Sequence, residues 1–202
     1  TLMERELARS SASMLLEEFY ALERRQKGLT ARERGLVTGQ ALTLFSGNYV
    51  HLPLKRSVHG VDPVQRLRIL ENRLDKFSGD LEFHSEMTSI FNSVRDLHTM
   101  YALPEPYCRY VAYLPFRVSQ YFDRDHRRRY VVSSVLSGIR AQHFVVGAEV
   151  LYWNGAPIEG AVRVVARQNA GSNEAAHHAR GVQRLTLRPL AICPPPDEGL
   201  VV

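Results

Sequence analysis

The densest group of chemically useful side chains next to an apolar run lies in residues 93–106. Asp96, His98, Thr99 and Tyr101 fall within six residues there. Because imidazole titrates near neutral pH, His98 is the candidate proton shuttle. In the structural alternative, Asp96 and Thr99 bond local backbone at a helix end and His98 is a satisfied side chain. Spacing alone favours this alternative, since one His without a visible partner specifies no reaction.

The other candidate residues also have structural interpretations. Cys108 follows His98 closely enough for a Cys–His pair to be conceivable, but a buried small side chain is its expected role. Lys55 would need burial to lose its proton and act as a base, and we expect it in a solvated loop. The rings of His177 and His178 would diverge on a helix, so they cannot chelate one metal and are expected to be exposed.

The bulk composition is that of an ordinary globular protein. The chain has 202 residues, 45% hydrophobic and 23% charged, enough for one large domain or two small ones. No run approaches the roughly 18 apolar residues of a membrane span. Cys108 and Cys193 are too few for a disulfide framework or a metal knuckle, so reduced thiols are expected. The cytoplasm is slightly favoured as compartment, because the first residues lack a signal-peptide core.

The formal charge is +5, but the basic residues are spread along the chain. A nucleic-acid binder would cluster them on one face with aromatic residues between them. Residues 127–129, three consecutive arginines between two strand-like runs, are expected to form a solvated hairpin tip. We therefore expect neither a nucleic-acid partner nor a membrane partner.

The first half of the chain has helical periodicity. Residues 2–27 predict a helix that ends at Gly28, and residues 42–45 predict a short helix broken at residues 47–48. Asp62 followed by Pro63 predicts a helix start. A stripe with a 3.6-residue period follows, formed by Phe83, Met87, Ile90, Phe91, Val94 and Leu97. Residues 1–106 are thus predicted to form a helical N-terminal unit.

The period changes to two near residue 107. Strands are predicted over 110–118, with a bend or an edge at Pro115, then over 130–136, 145–153 and near 185–187. Residues 154–155 predict a two-residue turn into a helix that stops at Gly171. A short helix through Ala179 is predicted to end at Gly181. The fold class is therefore α+β, with a small β-rich domain over residues 107–190. Its order of elements is that of a PDZ-like domain, and many other small α+β domains would show it too.

After three consecutive prolines, residues 199–202 are apolar and end in two valines. This pattern indicates a strand cut short. We therefore expect the chain to be a fragment, with residues 191–202 forming a linker and the start of a missing catalytic domain.

Several short segments occur in an order that is typical of one family. The sequence resembles the tail-specific, or C-terminal-processing, serine peptidases, in particular the larger bacterial members with a helical N-terminal region and an internal PDZ-like domain. The matching segments are residues 51–56 (HLPLKR), 62–67 (DPVQRL), 96–99 (DLHT) with Tyr101, 112–116 (AYLPF), 153–158 (WNGAPI), 171–173 (GSN) and 195–198 (PPDE).

The resemblance implies hydrolysis of peptide bonds by a serine nucleophile from a later domain. In some relatives a His in a stretch like residues 96–98 is the general base, working with a Ser and a Glu of that domain, and this role maps onto His98 only. In other relatives a Ser–Lys dyad does the chemistry and a similar stretch is structural, so both mechanisms stay open. The 202 residues contain no Gly-x-Ser-x-Gly motif.

The expected partners are a polypeptide substrate and the missing catalytic domain, and no cofactor or metal is implied. The sequence departs from a peptide-binding PDZ domain at one point, because no Gly-rich carboxylate-binding loop precedes the strand at residues 114–118. The alternative function is a non-catalytic PDZ-like module for protein interactions. A basic protein associated with nucleic acid is the least expected class.

Overall fold

The architecture changes where the hydrophobic period changes. The computed structural model describes residues 14–136 and 144–195. Its first elements are the helices α1 (Leu16–Arg24), α2 (Ala31–Thr43), α3 (Leu52–His59), α4 (Pro63–Glu71) and α5 (Asp80–Ser93). They are followed by β1 (Val111–Tyr113), β2 (Phe116–Phe122), β3 (Arg128–Val135), β4 (Tyr152–Trp153), β5 (Ala156–Pro157), α6 (Ile158–Arg167), α7 (Glu174–Thr186) and β6 (Leu187–Pro189). The α+β prediction is confirmed.

Local sequence signals start and orient the helices of the first half. Helix α4 begins where predicted, with Pro63 at its first position and the Asp62 carboxylate accepting the Gln65 amide at 3.1 Å. The apolar stripe of α5 packs into a common core with α2, α3 and α4. The buried members of this core are Ala41, Phe45, Leu52, Val64, Leu67, Leu70, Phe83, Met87, Ile90, Phe91 and Val94.

Three details of the helical half differ from the predictions or fall outside the structure. Helix α5 ends at Ser93, so Leu97 lies beyond it in a turn and is only half-buried. Residues 44–48 are a π-helical turn that continues α2, rather than a separate short helix. The predicted helix over residues 2–27 is described from Leu16 onwards, and residues 1–13 lie outside the described part.

A buried ion pair joins α2 to the start of α5. Arg34 Nη2 lies 2.9 Å from Asp80 Oδ1, and the two side chains are 10% and 17% exposed. The Arg34 guanidinium also donates to the Leu74 carbonyl at 3.1 Å, while Asp80 accepts the Leu29 amide at 2.9 Å. Further hydrogen bonds thus support both partners of this buried pair, although Arg34 Nε is buried without a hydrogen-bond partner.

In the second half the strands form short antiparallel pairs. Within the described residues, β1 pairs with β6, β2 with β3, and β4 with β5. The predicted strand over 110–118 is interrupted between β1 and β2 at residues 114–115, as expected from the missing N–H of Pro115. Helices α6 and α7 cover the β2–β3 hairpin. The buried core there is Val118, Tyr130, Ile158, Val162, Val165, Val182 and Leu185.

Two predicted boundaries in this half are wrong. Residues 145–153 form a strand only at their end, although residues 147–150 hydrogen-bond to β3, for example from Val150 N to Tyr130 O at 2.8 Å. Helix α7 does not end at Gly181 but continues to Thr186. A Cβ on Gly181 would lie 2.6 Å from the Val162 carbonyl oxygen of α6, so this glycine allows two helices to approach closely instead of ending one.

A small third core connects the two halves. Phe19 of α1 packs with Leu103, Tyr107 and Leu190, all nearly inaccessible to solvent. The Leu103 amide donates to the Ala191 carbonyl at 2.7 Å, so the chain enters and leaves the β-rich half at neighbouring points. Among the described residues, no helix is both long and apolar enough to cross a membrane.

Candidate functional site

The loop after α5 is organised by the carboxylate of Asp96. Arg95, with φ of 51°, turns the chain away from the helix. Asp96 Oδ1 then accepts the backbone N–H of His98 at 3.0 Å, and Oδ2 accepts the Thr99 hydroxyl at 3.2 Å. This is an Asx turn, in which a side chain replaces a backbone acceptor. The structural role predicted for Asp96 is thereby confirmed.

The same carboxylate ties the loop to the helices. The Tyr49 hydroxyl donates to Asp96 Oδ2 at 2.9 Å, and Lys55 Nζ donates to the Arg95 carbonyl at 3.2 Å. Burial and the hydrogen bond to Asp96 raise the pKa of Tyr49 to about 12. Partial burial alone would raise the pKa of Asp96, but the bonds from His98, Tyr49 and Thr99 outweigh it, so this pKa lies below its ordinary value. Asp96 therefore stays ionised and keeps the loop in place at neutral pH.

His98 has a fixed backbone and a free side chain. Its side chain is 97% exposed, and Nδ1 lies 3.8 Å from Asp96 Oδ1, beyond hydrogen-bond distance. The ring of His98 therefore does not form the hydrogen bonds that the structural alternative expects of it. The ring stands beside an open hollow of about 290 Å³, lined also by Leu44, Asn48, Tyr49, Phe91, Thr99 and Met100. None of these lining residues is a serine or a cysteine.

The hollow has an apolar rim. Leu44 and Met100 in its wall are 38% and 45% exposed, and Val50, which follows Tyr49, is 81% exposed. Chemically, an imidazole at this place can accept or donate a proton at either ring nitrogen. It has a carboxylate close by, but a nucleophile would have to come from outside the hollow.

The remaining candidates take structural positions that differ partly from the expectations. Cys108 is exposed rather than buried, whereas Cys193 is buried, and both thiols are free. Lys55 lies on helix α3 rather than in a loop, and its ammonium donates a hydrogen bond to the Arg95 carbonyl. Trp153, the first residue of the matching segment 153–158, is half-buried and packs against Phe116, with ring centroids 6.1 Å apart.

The predicted arginine hairpin tip is partly correct. The turn between β2 and β3 is exposed, but two of its arginines start β3 and form ion pairs. Arg128 Nη1 lies 3.2 Å from Glu159 Oε1, and Arg129 Nε lies 2.9 Å from Asp123 Oδ2. These charges are thus used within the chain.

The sequence analysis missed a polar cluster around Tyr130. Its hydroxyl contacts the Glu159 carboxylate and lies 2.9 Å from His178 Nε2, while Arg128 Nη1 lies 3.2 Å from His178 Nδ1. His178 is therefore buried, and the prediction that it is exposed is wrong. Burial and the Arg128 charge lower the pKa of His178, so the ring is neutral at pH 7. His177, next to it, is half-buried.

The polar cluster around Tyr130 joins three elements. Tyr130 lies on β3, Glu159 on the first turn of α6 and His178 on α7. No signal in the sequence pairs them, because their separation along the chain exceeds any local spacing rule. Residues 14–136 and 144–195 contain no group of three or more His, Cys, Asp or Glu side chains that could hold a metal.

The second half of the chain matches a known domain family. Residues 110–197 match the sequence profile of the family described as PDZ domain. The chain therefore consists of N-terminal helices followed by a PDZ domain, as the sequence predicted. No curated protein matches the chain significantly.

Two solved structures share this fold. One is mature CPAF complexed with lactacystin, 16% identical with a TM-score of 0.60, covering 80% of this chain and 30% of CPAF. The other is a serine-to-alanine mutant of CPAF, 18% identical with a TM-score of 0.62, covering 82% of this chain and 30% of that one. The chain thus spans about 30% of the length of the CPAF chains. The likeness at this identity shows a common fold.

Proposed function

We propose that this chain is the N-terminal half of a serine endopeptidase of the tail-specific type, with His98 as the general base. The Ser nucleophile and a Glu partner would come from a later domain. The observation that carries the proposal is the side chain of His98, which is 97% exposed on a backbone fixed by Asp96. A structural histidine would be expected to use its ring nitrogens within the chain, whereas a general base must present one to a reactant.

The surroundings of His98 support this role. The loop is held by three hydrogen bonds to Asp96, so the imidazole starts from a defined position, which a catalytic group requires. The apolar rim at Leu44 and Met100 offers a surface that another domain could cover. Covering it would remove water from around the ring and strengthen its hydrogen bonds. The fold shared with CPAF adds a precedent for helices followed by a PDZ domain within a longer chain.

In the proposed reaction, His98 takes the proton of the Ser hydroxyl as its oxygen attacks the peptide carbonyl. The protonated imidazole then gives this proton to the leaving amine, and an acyl-enzyme remains. Water repeats the sequence with His98 again as base, which releases the acid product and restores the hydroxyl. The PDZ domain would hold the polypeptide during these steps.

The test uses the full-length protein and the variant His98→Asn. We expect kcat to fall roughly 10²-fold or more while the melting temperature stays unchanged, because the side chain has no packing role. The matched control is His126→Asn, since His126 is also exposed, at the tip of the β2–β3 hairpin, and asparagine tolerates its φ of 58°.

Two results would contradict the proposal. If His98→Asn retains kcat within a few-fold of wild type, a Ser–Lys dyad or another base does the chemistry. If the full-length wild-type protein fails to react with a serine-directed phosphonate and hydrolyses no polypeptide, the chain is a non-catalytic PDZ module instead.

A further inference from the structure

Cationic side chains collect where the helical half of the chain meets the PDZ domain. Lys55 and His59 lie on α3, Arg95 follows α5, and His177 and Arg180 lie on α7, about one helical turn apart. We call these five residues the cationic cluster. Lys55 Nζ donates to the Arg95 carbonyl at 3.2 Å, and the charges of Arg95 and His59 both act on the His177 ring. The cationic cluster therefore joins three elements from both halves of the chain.

The arginines of the cationic cluster are not used within the described part of the chain. Among residues 14–136 and 144–195, the guanidinium groups of Arg95 and Arg180 form no hydrogen bond and no ion pair. The side-chain charges that act on the rings of His59 and His177 are all positive. Arg95 is exposed and Arg180 is half-buried, so both can reach a ligand from solvent.

The acidic groups close by are engaged elsewhere. The Asp96 carboxylate, on which the Lys55 charge also acts, accepts hydrogen bonds from Tyr49, His98 and Thr99. Glu174, in the first turn of α7, acts on the ring of His178. Like charges that are held together in this way repel one another, which costs stability unless an anion lies between them.

The His177 ring has a nitrogen that lacks a partner. Its Nε2 is inaccessible and forms no hydrogen bond, and a Cβ on Gly171 would lie 2.1 Å from its Cδ2, so the ring is held in place. Burial is the main cause that lowers the pKa of His177, the Arg95 charge acts in the same direction, and a hydrogen bond with the Gly171 backbone acts against them. The ring is thus neutral at pH 7, and a bound anion would favour its protonated form.

The arrangement of the donors indicates the shape and charge of the ligand. Lys55, Arg95 and Arg180 carry permanent charges and approach from three different elements. A carboxylate has a single charge and two oxygens in one plane, so it cannot serve all three. A phosphate has up to two charges, and its oxygens point in several directions, as donors from different elements require.

We propose that the cationic cluster binds a tetrahedral oxyanion of the phosphate type between the two halves of the chain, and that His177 takes up a proton when the anion binds. The charged groups that face His177 are Arg95 from the loop after α5, His59 from α3 and Arg180 from α7. Binding needs no hydrolysis, so the inference does not depend on the role proposed for His98.

The first experiment is isothermal titration calorimetry of the chain with inorganic phosphate at constant ionic strength. We expect saturable binding, with acetate and glutarate binding at least tenfold more weakly. Arg95→Asn, in which asparagine tolerates the φ of 51°, and Arg180→Gln should each weaken phosphate binding tenfold or more. The matched control is Arg68→Gln, at an exposed position on α4, and should bind phosphate within about twofold of the wild type.

Urea unfolding without phosphate separates lost binding from lost folding. Because each arginine variant removes one of several like charges, both should unfold at the same or a higher urea concentration than the wild type. Addition of phosphate should raise the midpoint of the wild type and of Arg68→Gln, and leave the midpoints of Arg95→Asn and Arg180→Gln nearly unchanged.

The proton uptake is tested with sulfate, which keeps both of its charges near neutral pH. Sulfate should bind at least threefold more tightly at about pH 6 than at about pH 7.5, because only the protonated rings can donate from both nitrogens. His177→Gln should remove most of this pH dependence. The surrounding arginines and Lys55 do not titrate in this range.

The proposal is overturned if phosphate shows no saturable binding, or if glutarate binds as tightly as phosphate. It is also overturned if Arg95→Asn and Arg180→Gln bind phosphate like the wild type, or if the wild type binds sulfate equally at both pH values. Phosphate binding as expected together with normal peptidase activity of His98→Asn would support this site and refute the role of His98 alone.

Discussion

The buried histidine of α5 predicts a specific loss of stability in acid. His84 is 2% exposed, its Nδ1 lies 2.8 Å from the Tyr101 hydroxyl, and its ring stacks on Tyr101 with centroids 5.8 Å apart. Burial is the main cause that lowers the pKa of His84 to about 4, with the Arg34 charge acting in the same direction and Asp80 against it. Protonation of the folded protein is thus unfavourable until the pH is very low.

The sign follows from proton binding. An unfolded chain has an ordinary histidine pKa of about 6.5, so between roughly pH 6.5 and 4 the unfolded state binds a proton that the folded state does not. The contribution of His84 to the free energy of unfolding is therefore fully present above pH 6.5, and it is lost as the pH falls through this window. At about pH 4.5, with these two pKa values, the difference amounts to about 2.5 kcal/mol, a large part of the stability of a domain.

The measurement is urea unfolding of the wild type and of His84→Asn at pH 7 and at about pH 4.5. Asparagine does not titrate and places a polar atom near Nδ1, although its smaller volume should destabilise the protein at both pH values. We expect the wild type to lose about 2.5 kcal/mol more than the variant between the two pH values. His126→Asn, at an exposed histidine, should lose as much as the wild type.

Equal losses in the wild type and in His84→Asn would refute the reasoning. In that case the ring would be hydrated or already charged in the folded state, and acid sensitivity would come from the carboxylates that both proteins share.

Two further predictions concern packing and charge. Gly181→Ala should destabilise the chain by about 1–3 kcal/mol, because the added Cβ would lie 2.6 Å from the Val162 carbonyl oxygen. Gly160→Ala should instead stabilise the chain by about 0.5–1 kcal/mol, because Gly160 lies in helix α6 and a Cβ there would meet open space. Denaturant midpoints of the two variants shifting in the same direction would contradict this. Asp80→Asn should lower the free energy of unfolding by about 3 kcal/mol, because it leaves the Arg34 guanidinium buried without its carboxylate. A decrease below about 0.5 kcal/mol in the same assay would show that the ion pair contributes little.

Local signals account for the parts of the fold that could be predicted. The Asp62–Pro63 start of α4 and the stripe of α5 depend on neighbours within one or two helical turns. The same is true of the turn at Asn154 and Gly155, both with positive φ, which joins β4 to β5. In each case the residues that determine the structure are adjacent in the sequence.

The wrong predictions for Gly181 and His178 depended on distant partners. Gly181 has the composition signal of a helix end, but its role is set by the carbonyl of Val162 in another helix. The sequence around His178 is typical of a solvated side chain, but His178 is buried and forms a hydrogen bond with Tyr130 on β3. For the candidate site, the sequence proposes His98 as a candidate, while the bond from Tyr49 to Asp96 that holds its loop joins residues 47 positions apart.

The neighbouring entry and exit points of the PDZ domain have a mechanical consequence. Leu103, before this domain, and Ala191, near its end, are hydrogen-bonded at 2.7 Å, so the two ends of the domain lie side by side. Such an attachment acts as a pivot. A second contact, from Asn92 Nδ2 on α5 to the Gln168 carbonyl at 2.6 Å, resists rotation about it. A rotation about it would have to break this hydrogen bond and the packing of Phe19 against Tyr110 and Leu190, and it would change the direction in which β2 presents its edge, while the loop of His98 keeps its shape.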